Sequence, residues 1–466
     1  MISRRTWISR AALLASGAAL LDRARLVLGG GNALAQDPPA GQDMNSMPGM
    51  TAPPPATAPA PTAAPPRSAP RTGLPYTPVV TPNIPTLPFR MNGGVKEFHL
   101  VAEPVEVEFA PGMKVNAWGY NGTSPGPTIE AVEGDRVRLF VENRLPEHTT
   151  VHWHGILLPN GMDGVGGLNQ PQIQPGETYV YEFTLRQHGT HMYHPHADEM
   201  VQMAMGMMGF FIIHPRQSER RIDRDFCIFP HMFSIRPGTK TPDASVMLDF
   251  NLFTFNGRAF PGTDALVCRL GDRTRIRLAN ISMTSHPIHL HGHQMWVTET
   301  DGGQIPRSAW WPETTINVMP GTTRAFEFVA DNPGDWALHC HKTHHTMNAM
   351  GHDIPNMIGV DQQGVSGEIS KLVRGYMAMG TSGMAEHAAH SEHMPGLPNT
   401  LPMMTGTGPF GPVEMGGMFT VLKIRDGIAS YEDPGWYDYP PGTVSWKVGS
   451  EPGSETEKGG GHEHGG

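Results

Sequence analysis

Cysteine is scarce in this sequence, and long apolar or helical stretches are missing. Only three of the 466 residues are cysteine, which leaves room for at most one disulfide. No apolar run approaches the roughly 20 residues that a membrane-spanning helix needs, so we expect no membrane anchor. The formal net charge of −10 argues against nucleic acid or anionic membranes as partners. No long segment has a 3.6-residue apolar period, which disfavours a helical fold.

Residues 1–35 have the features of an export signal. Two arginines in the segment SRRTWI precede an apolar run from Ala11 to Leu21, and Ala33 and Ala35 provide a small-residue cleavage site. We therefore expect twin-arginine export, to the periplasm or beyond. Residues 36–88 are rich in proline, alanine and methionine and lack periodicity, which predicts a disordered linker.

The segment HCHKTHHTMNAM, which begins at His339, combines three kinds of metal ligand. Cys340 offers a thiolate, His345 an imidazole and Met350 a thioether, and His286 is the best candidate for a second imidazole. A His₂Cys set with a weak axial methionine is typical of a blue-copper electron-transfer site. The segment therefore predicts such a site.

Four His-x-His pairs lie at repeat-related positions of the chain, and one of them encloses Cys340. Because side chains alternate along a strand, the two histidines of that pair point to one face and the cysteine to the other, so one tripeptide can serve two metal centres. Eight imidazoles in two sets of four suit a multinuclear copper cluster between two domains. The pairs are His152 and His154, His194 and His196, His289 and His291, and His339 and His341.

An internal repeat indicates a duplicated domain. GDRVRLFVEN with HTTVHWHG recurs 137 residues later as GDRTRIRLAN with HPIHLHGH, and a second phrase that ends in HPH recurs 145 residues later and ends in HCH. Both copies have short alternating segments between Pro-Gly and Gly-Asp turns, which favours β-sandwiches. The predicted strands are 136–142, 178–185, 273–278 and 323–329, with a short helix or turn over 199–208.

At these residues the sequence resembles the multicopper oxidases, because all four copper motifs of that family are present as HWHG, HPH, HPIHLHGH and HCHKTHHTMNAM. The resemblance implies an all-β protein with cupredoxin-like Greek-key sandwich domains and four copper ions per functional unit. The implied ligands are His152 and His289 for the type 2 ion, His154, His194, His196, His291, His339 and His341 for the type 3 pair, and His286, Cys340, His345 and Met350 for the type 1 ion.

The spacing of the motifs favours a two-domain, laccase-type oxidase. Only 89 residues separate His196 from His286, too few for a middle sandwich. Pro195 occupies the repeat position of Cys340, so only the second domain has a type 1 site. The predicted domains are residues 89–215 and 216–428, the second with a Met/His-rich insertion at about 370–417, followed by a tail at 429–466.

The resemblance also implies a reaction. A reducing donor, phenolic or Cu(I), gives single electrons to the type 1 ion through His286 or His345, and Cys340 passes them towards the cluster, where O₂ is reduced to water. Asp163 matches an acidic residue that some relatives use for proton delivery, although a simple turn carboxylate is an equal alternative. Thr346 stands where several relatives have a second acid. No motif specifies the donor.

Several alternatives stay open at this point. A copper nitrite reductase is also built from cupredoxin domains, and a non-catalytic copper-binding or copper-tolerance protein would use similar ligands. The insertion either binds Cu(I) or is a packing loop. Cys227 and Cys268, both in apolar strand-like segments, either form a disulfide or remain free thiols.

We also predict a homotrimer. Each domain supplies four cluster histidines, but only a short connection at about 215–225 joins the domains. If this connection holds the two histidine faces of one chain apart, each face must find its complement on a neighbouring chain, in a head-to-tail contact that closes into a ring. The resemblance to two-domain relatives implies that the ring closes at three.

Overall fold

The computed structural model describes residues 76–448, apart from 219, 237, 349–367, 369–370, 373–398, 400 and 402–405. The predicted export signal, Met350 and most of the predicted insertion lie outside the described residues. In the part of the chain that is described, no helix is long and apolar enough to cross a membrane. Nearly all regular structure is β-strand, which confirms the predicted all-β fold class.

The first half of the described chain forms a β-sandwich. One of its sheets has the strand order β2-β3-β6-β8 with β4 beside β3, and the other has the order β5-β10-β9-β7. Alternate side chains of the two sheets meet in a core that includes Phe98, Leu139 and Phe211. The strands are β1 (Val79–Val80), β2 (Phe89–Asn92), β3 (Val95–Ala110), β4 (Met113–Tyr120), β5 (Ile129–Val132), β6 (Arg136–Asn143), β7 (His152–His154), β8 (Thr178–Thr184), β9 (Gly189–His194) and β10 (Gly209–His214), with a 3₁₀ turn at Asn160–Met162 and the helix α1 at Glu199–Ala204.

The second half forms another sandwich. One sheet has the order β1-β11-β15-β21-β17-β18 with β19 beside β17, and the other has the order β14-β25-β22-β16-β20. Their shared core includes Ile276, Phe326 and Leu338. The strands are β11 (Arg224–Ile228), β12 (Pro230–Phe233), β13 (Leu252–Phe255), β14 (Leu266–Arg269), β15 (Arg273–Asn280), β16 (His286–Leu290), β17 (Met295–Thr300), β18 (Gly303–Gln304), β19 (Trp311–Glu313), β20 (Thr315–Val318), β21 (Thr322–Val329), β22 (Gly334–Cys340), β23 (Gly406–Gly408), β24 (Gly411–Val413) and β25 (Phe419–Arg425), with 3₁₀ turns at Arg307–Ala309 and Thr343–Thr346.

Most predicted local elements lie where the sequence placed them. The strands β6, β8, β15 and β21 end within two residues of the predicted bounds. The helix α1 ends at Ala204, earlier than the predicted 208, because Gly206 adopts a φ of 108° that a helix does not allow. Cys227 and Cys268 are both buried free thiols, so the disulfide alternative is not realised.

Residues 76–88 differ from the prediction, because they are ordered rather than part of a disordered linker. β1 pairs in parallel with β11 of the second sandwich, whereas Thr86 bridges to Thr128 of the first. Ile84 and Leu87 are buried. The prediction of disorder followed from the proline-rich composition and overlooked Ile84 and Leu87. These buried apolar side chains help to hold the segment against the sandwiches.

The two sandwiches pack against each other through β9 and β10 of the first, which lie on the outer face of the β11-β15-β21 sheet. On β15, Ile276 and Leu278 point into the core of the second sandwich, so the alternating Ala279 points outward to the junction. There it joins an apolar cluster that includes Phe210 and Phe229.

A buried ion cluster completes this junction. Arg275 Nη2 is 2.5 Å from Asp225 Oδ2, and Arg277 Nη1 is 3.0 Å from Glu299 Oε2. Arg277 also donates to Thr190 Oγ1 of β9 at 2.7 Å, which ties the cluster to the first sandwich. Burial opposes ionisation of Asp225, but the two guanidinium groups outweigh it and hold the pKa of Asp225 below its usual range.

Replacing Arg277 should destabilise the protein. We expect Arg277→Met to lower the free energy of unfolding by about 3–5 kcal/mol, because Asp225 and Glu299 would remain buried with only one guanidinium between them. Urea denaturation would measure this loss. In the matched control, Arg236→Met removes an exposed ion pair with Asp243 and should cost less than about 1 kcal/mol. Similar losses in both variants would contradict the stabilising role of the cluster.

Candidate metal centres

The first set of four histidines lies at one edge of the first sandwich. β7 and β9 pair antiparallel with His152 opposite His194, and Trp153 turns into the core while its two neighbours share the other face. The ring centroid of His152 is 5.5 Å from that of His154, 5.3 Å from that of His194 and 5.6 Å from that of His196. The structure therefore brings these four predicted residues together.

The second set repeats this arrangement in the second sandwich. β16 and β22 pair antiparallel with His289 opposite His339, the same register as in the first set. The ring centroid of His289 is 4.7 Å from that of His291, 5.7 Å from that of His339 and 5.6 Å from that of His341. The repeat seen in the sequence is thus a repeat of strand pairing.

Backbone carbonyls determine which nitrogen four of the rings present. Nδ1–H of His152 donates to the carbonyl of Asp163 at 2.7 Å, and Nδ1–H of His289 donates to another backbone carbonyl at 2.6 Å. His194 and His339 donate in the same way to the carbonyl of the following residue, at 2.9 and 3.0 Å. In each neutral ring Nε2 is then unprotonated, and its lone pair is available for a metal.

Within each set, two ring nitrogens face each other. His154 Nδ1 is 3.2 Å from His194 Nε2, and His291 Nε2 is 3.1 Å from His339 Nε2. Potential ligand atoms of His152, His154 and His194 all lie within 4.8 Å of one another. Burial lowers the pKa of His194 to about 3 and that of His339 to about 4. Both are therefore neutral near pH 7, which is the form that binds metal ions.

A separate buried centre lies inside the second sandwich, on the opposite face of β22. Cys340 Sγ is 3.4 Å from His345 Nδ1 and 3.8 Å from His286 Nδ1, and the two Nδ1 atoms are 3.2 Å apart. Burial raises the pKa of Cys340 to about 12 and lowers that of His286 to about 3. A thiol in such surroundings ionises when a metal cation binds beside it, so this set suits a soft or borderline metal ion. Met350, the predicted axial ligand, lies outside the described residues.

Sequence reasoning did not find the residues that hold this buried centre. Ser282 Oγ lies 2.7 Å from His286 Nε2, and the ring of Phe253 stacks on that of His345 with centroids 4.6 Å apart. Neither residue is a ligand type or part of a copper motif, so no signal in the sequence marked them. They lie within reach only because β13 and the turn before β16 fold over the centre.

Asp163, predicted to deliver protons, lies beside the first histidine set. Its carboxylate Oδ1 is 3.5 Å from His152 Nδ1, and Asn169 Nδ2 donates to its Oδ2 at 3.3 Å. The carboxylate is partly exposed. It therefore connects solvent with the ring of His152, and its backbone carbonyl orients that same ring.

The two histidine sets of one chain are held apart. The second set lies on β16 and β22, in the sheet of the second sandwich that faces away from the first sandwich. The β11-β15-β21 sheet stands between this sheet and β9, and face-to-face sheets are about 10 Å apart. Although all eight histidines belong to the described residues, no ring contact or hydrogen bond joins the two sets; such contacts occur only within each set.

This fold and these centres define a class of protein. Paired cupredoxin-like sandwiches with a buried His₂Cys centre and clustered histidine pairs are typical of copper proteins. Two family models, both described as multicopper oxidase, match residues 102–218 and 234–358, together just over half of the chain. The chain belongs to the multicopper oxidase family.

Individual relatives cover only parts of the chain. It is 29% identical over 272 residues to a probable nitrite reductase-hydroxylamine oxidoreductase fusion protein of Kuenenia stuttgartiensis, covering 55% of this chain and 31% of that protein. It is 46% identical over 108 residues to copper resistance protein A of Escherichia coli, covering 23% and 18%. The matches thus span a third or less of these relatives. Among solved structures, the multicopper oxidase mgLAC is 26% identical with a TM-score of 0.52, covering 76% of this chain and 90% of that one.

Proposed function

We propose that this protein couples the one-electron oxidation of a small reducing donor to the four-electron reduction of O₂ to water. The observation that carries the proposal is the position of Cys340 between His339 and His341 on β22. Its thiol faces the buried centre, while the imidazoles of His339 and His341 are on the opposite face of the strand and belong to the second histidine set. Copper bound to these residues would supply one-electron transfer at the buried centre and oxygen reduction at the histidine sets.

The proposed ligands are those predicted from the sequence. Three of the type 1 ligands converge in the buried centre. The eight cluster histidines would bind one type 2 and two type 3 copper ions. The proposed type 1 ligands are His286, Cys340, His345 and Met350; the type 2 ligands are His152 and His289; the type 3 ligands are His154, His194, His196, His291, His339 and His341.

Electrons from the donor enter through His345 rather than His286 in this proposal. The Nε2 atom of His286 is hydrogen-bonded to Ser282 Oγ, and His286 is not among the described residues that line the adjacent cavity. His345 turns Nδ1 towards Cys340 and lines a cavity of about 240 Å³. A donor in that cavity would contact a ligand of the type 1 ion directly. Asp163 is the proposed source of protons beside His152.

We further propose that the working unit is an exported head-to-tail homotrimer. The support comes from the separation of the two histidine sets within one chain, since a cluster with eight ligands requires both sets. The exposed side chains of Leu157 and Leu168 follow His152 and His154 in sequence, and the exposed Met319 directly follows β20, which pairs with β16 of the second set. Burial of these apolar groups against a neighbouring chain would add to the stability of such a ring.

Oxygen uptake tests the proposed function. Copper-loaded protein should consume O₂ with guaiacol, a methoxyphenol, and with Cu(I) as separate donors, and it should release no hydrogen peroxide, because four-electron reduction of O₂ gives only water. An oxygen electrode and a peroxide assay on one sample would measure both quantities. Protein that binds copper but consumes no O₂ with either donor would instead be a non-catalytic copper binder.

The similarity to the nitrite reductase fusion protein supports a second candidate, reduction of nitrite. The position of the His₂Cys centre in the second sandwich and the full complement of eight cluster histidines favour oxygen over nitrite. Anaerobic incubation of the copper-loaded protein with nitrite and an excess of a reducing donor distinguishes the two reactions. Steady consumption of nitrite without O₂ uptake in the companion assay would establish this second candidate.

A further inference from the structure

The described residues that line the cavity beside His345 are mainly apolar and include one lysine. Its volume of about 240 Å³ is below the usual range for drug-sized ligands and suits one aromatic ring. The aromatic ring of Phe253 both lines it and stacks on His345. Lys342, Thr284 and His344 also line the cavity, and none of the described lining residues is acidic. The apolar wall consists of Met232, Met247, Leu248, Phe250, Phe253 and Met283.

The ammonium group of Lys342 has no counter-ion among the residues that the structure describes. Its Nζ donates to the hydroxyl of Thr284, a neutral acceptor that also lines the cavity. An ammonium has three N–H donors, so this bond leaves two of them available to a ligand. Lys342 is partly buried, and a cation in such a position favours an anion beside it.

We propose that Lys342 makes this cavity selective for monocyclic phenols that carry an anionic group, such as a carboxylate. The inference rests on the proposed oxidase function and names its donor class. The ring would lie along Phe250 and Phe253 near His345, with the anionic group at Lys342. A Cu(I) donor is disfavoured at this site, because the ammonium repels a cation even though thioethers are good Cu(I) ligands.

Oxidation of the phenolic donor uses O₂ as the terminal oxidant. Each phenol gives up one electron through His345 and loses its phenolic proton to water, which leaves a phenoxyl radical. Four such donors supply the electrons that, with four protons, convert one O₂ into two water molecules. The anionic group of the donor is unchanged, so Lys342 acts in binding and orientation only.

Two matched donors test the proposal. Vanillate is guaiacol with an added carboxylate, so the ratio of their kcat/KM values isolates the effect of the charge. We expect Lys342→Gln to lower the vanillate to guaiacol ratio about tenfold, the loss typical of one hydrogen bond to a charged group, and Lys342→Arg to keep most of it. Lys240→Gln, at an exposed lysine beside β4, makes the same change in net charge and should leave the ratio unaltered.

A binding measurement separates this proposal from the oxidase function. Benzoate, which cannot be oxidised here, should bind the copper-loaded wild-type protein in calorimetry and about tenfold more weakly the Lys342→Gln variant. Benzoate binding that depends on Lys342 in a protein without O₂ uptake would support the site while the oxidase function fails. Equal losses with vanillate and guaiacol, or unchanged benzoate binding, would overturn the proposal. Faster Cu(I) oxidation by Lys342→Gln with an unchanged vanillate to guaiacol ratio would also overturn it and would assign the cavity to Cu(I).

Discussion

Cys340→Ser should convert an intensely coloured oxidase into a colourless protein without oxidase activity. A serine hydroxyl is not a thiolate, so the strong visible absorption that copper-thiolate bonding produces would be lost. Electron transfer from the donor to the histidine sets would be lost with it, because the side chain of Cys340 is the contact between the buried centre and β22. The visible spectrum and O₂ uptake of the copper-loaded variant measure both effects.

Cys268→Ser is the matched control for this experiment. Cys268 is also buried in the second sandwich, but its Sγ lies 3.3 Å from Thr274 Oγ1, so a serine there keeps a hydrogen-bond partner. This variant should stay coloured and active. Unfolding curves of both variants should show that each remains folded. A Cys340→Ser protein that keeps its colour would disprove the assignment of the type 1 ligands.

Mixing two inactive variants should restore activity if neighbouring chains share a cluster. His154→Ala damages the first histidine set and His291→Ala damages the second, so the proposed trimer of either variant would lack a complete cluster at every interface. After subunit exchange in an equal mixture, each face is intact in half of the chains. About one quarter of the interfaces would then combine two intact faces, and about one quarter of the wild-type O₂ uptake should return.

The control mixes His154→Ala with His152→Ala. Both changes damage the first set, so no arrangement of these chains yields a complete cluster, and activity should stay absent. Light scattering on the wild-type protein would give the oligomeric state independently. A fully active monomer would rule out the shared cluster, and recovery in the control mixture would show that complementation does not depend on the two faces.

The sequence predicted which histidine side chains share a strand face better than it predicted how the chain is held together. His-x-His pairs and repeated phrases are local patterns, and alternation along a strand determines which side chains share a face. The ion cluster of Asp225, Arg275, Arg277 and Glu299 joins residues from three strands, and only the folded junction brings them together. Residues 76–88 show the same limit, because their order depends on contacts with both sandwiches rather than on composition.

The candidate site shows a similar division. The eight histidines, His286, Cys340 and His345 were predicted because ligand types at fixed spacing leave a pattern in the sequence. Ser282, Phe253 and Lys342 left none, since serine, phenylalanine and lysine occur throughout the chain, and their roles arise from position alone. The sequence also left open whether electrons enter through His286 or His345. Only the folded structure shows that the ring of His345 reaches a cavity.

The register of β22 positions the ligands of both kinds of centre at once. Its side chains alternate, so shifting this strand by one residue against β16 and β25 would turn Cys340 outward and bring His339 and His341 into the apolar core. A single insertion or deletion between Trp336 and Cys340 would therefore destroy the proposed electron-accepting and oxygen-reducing ligand sets in one event. Substitutions around this strand can adjust either centre, but a change in strand length cannot preserve one at the expense of the other.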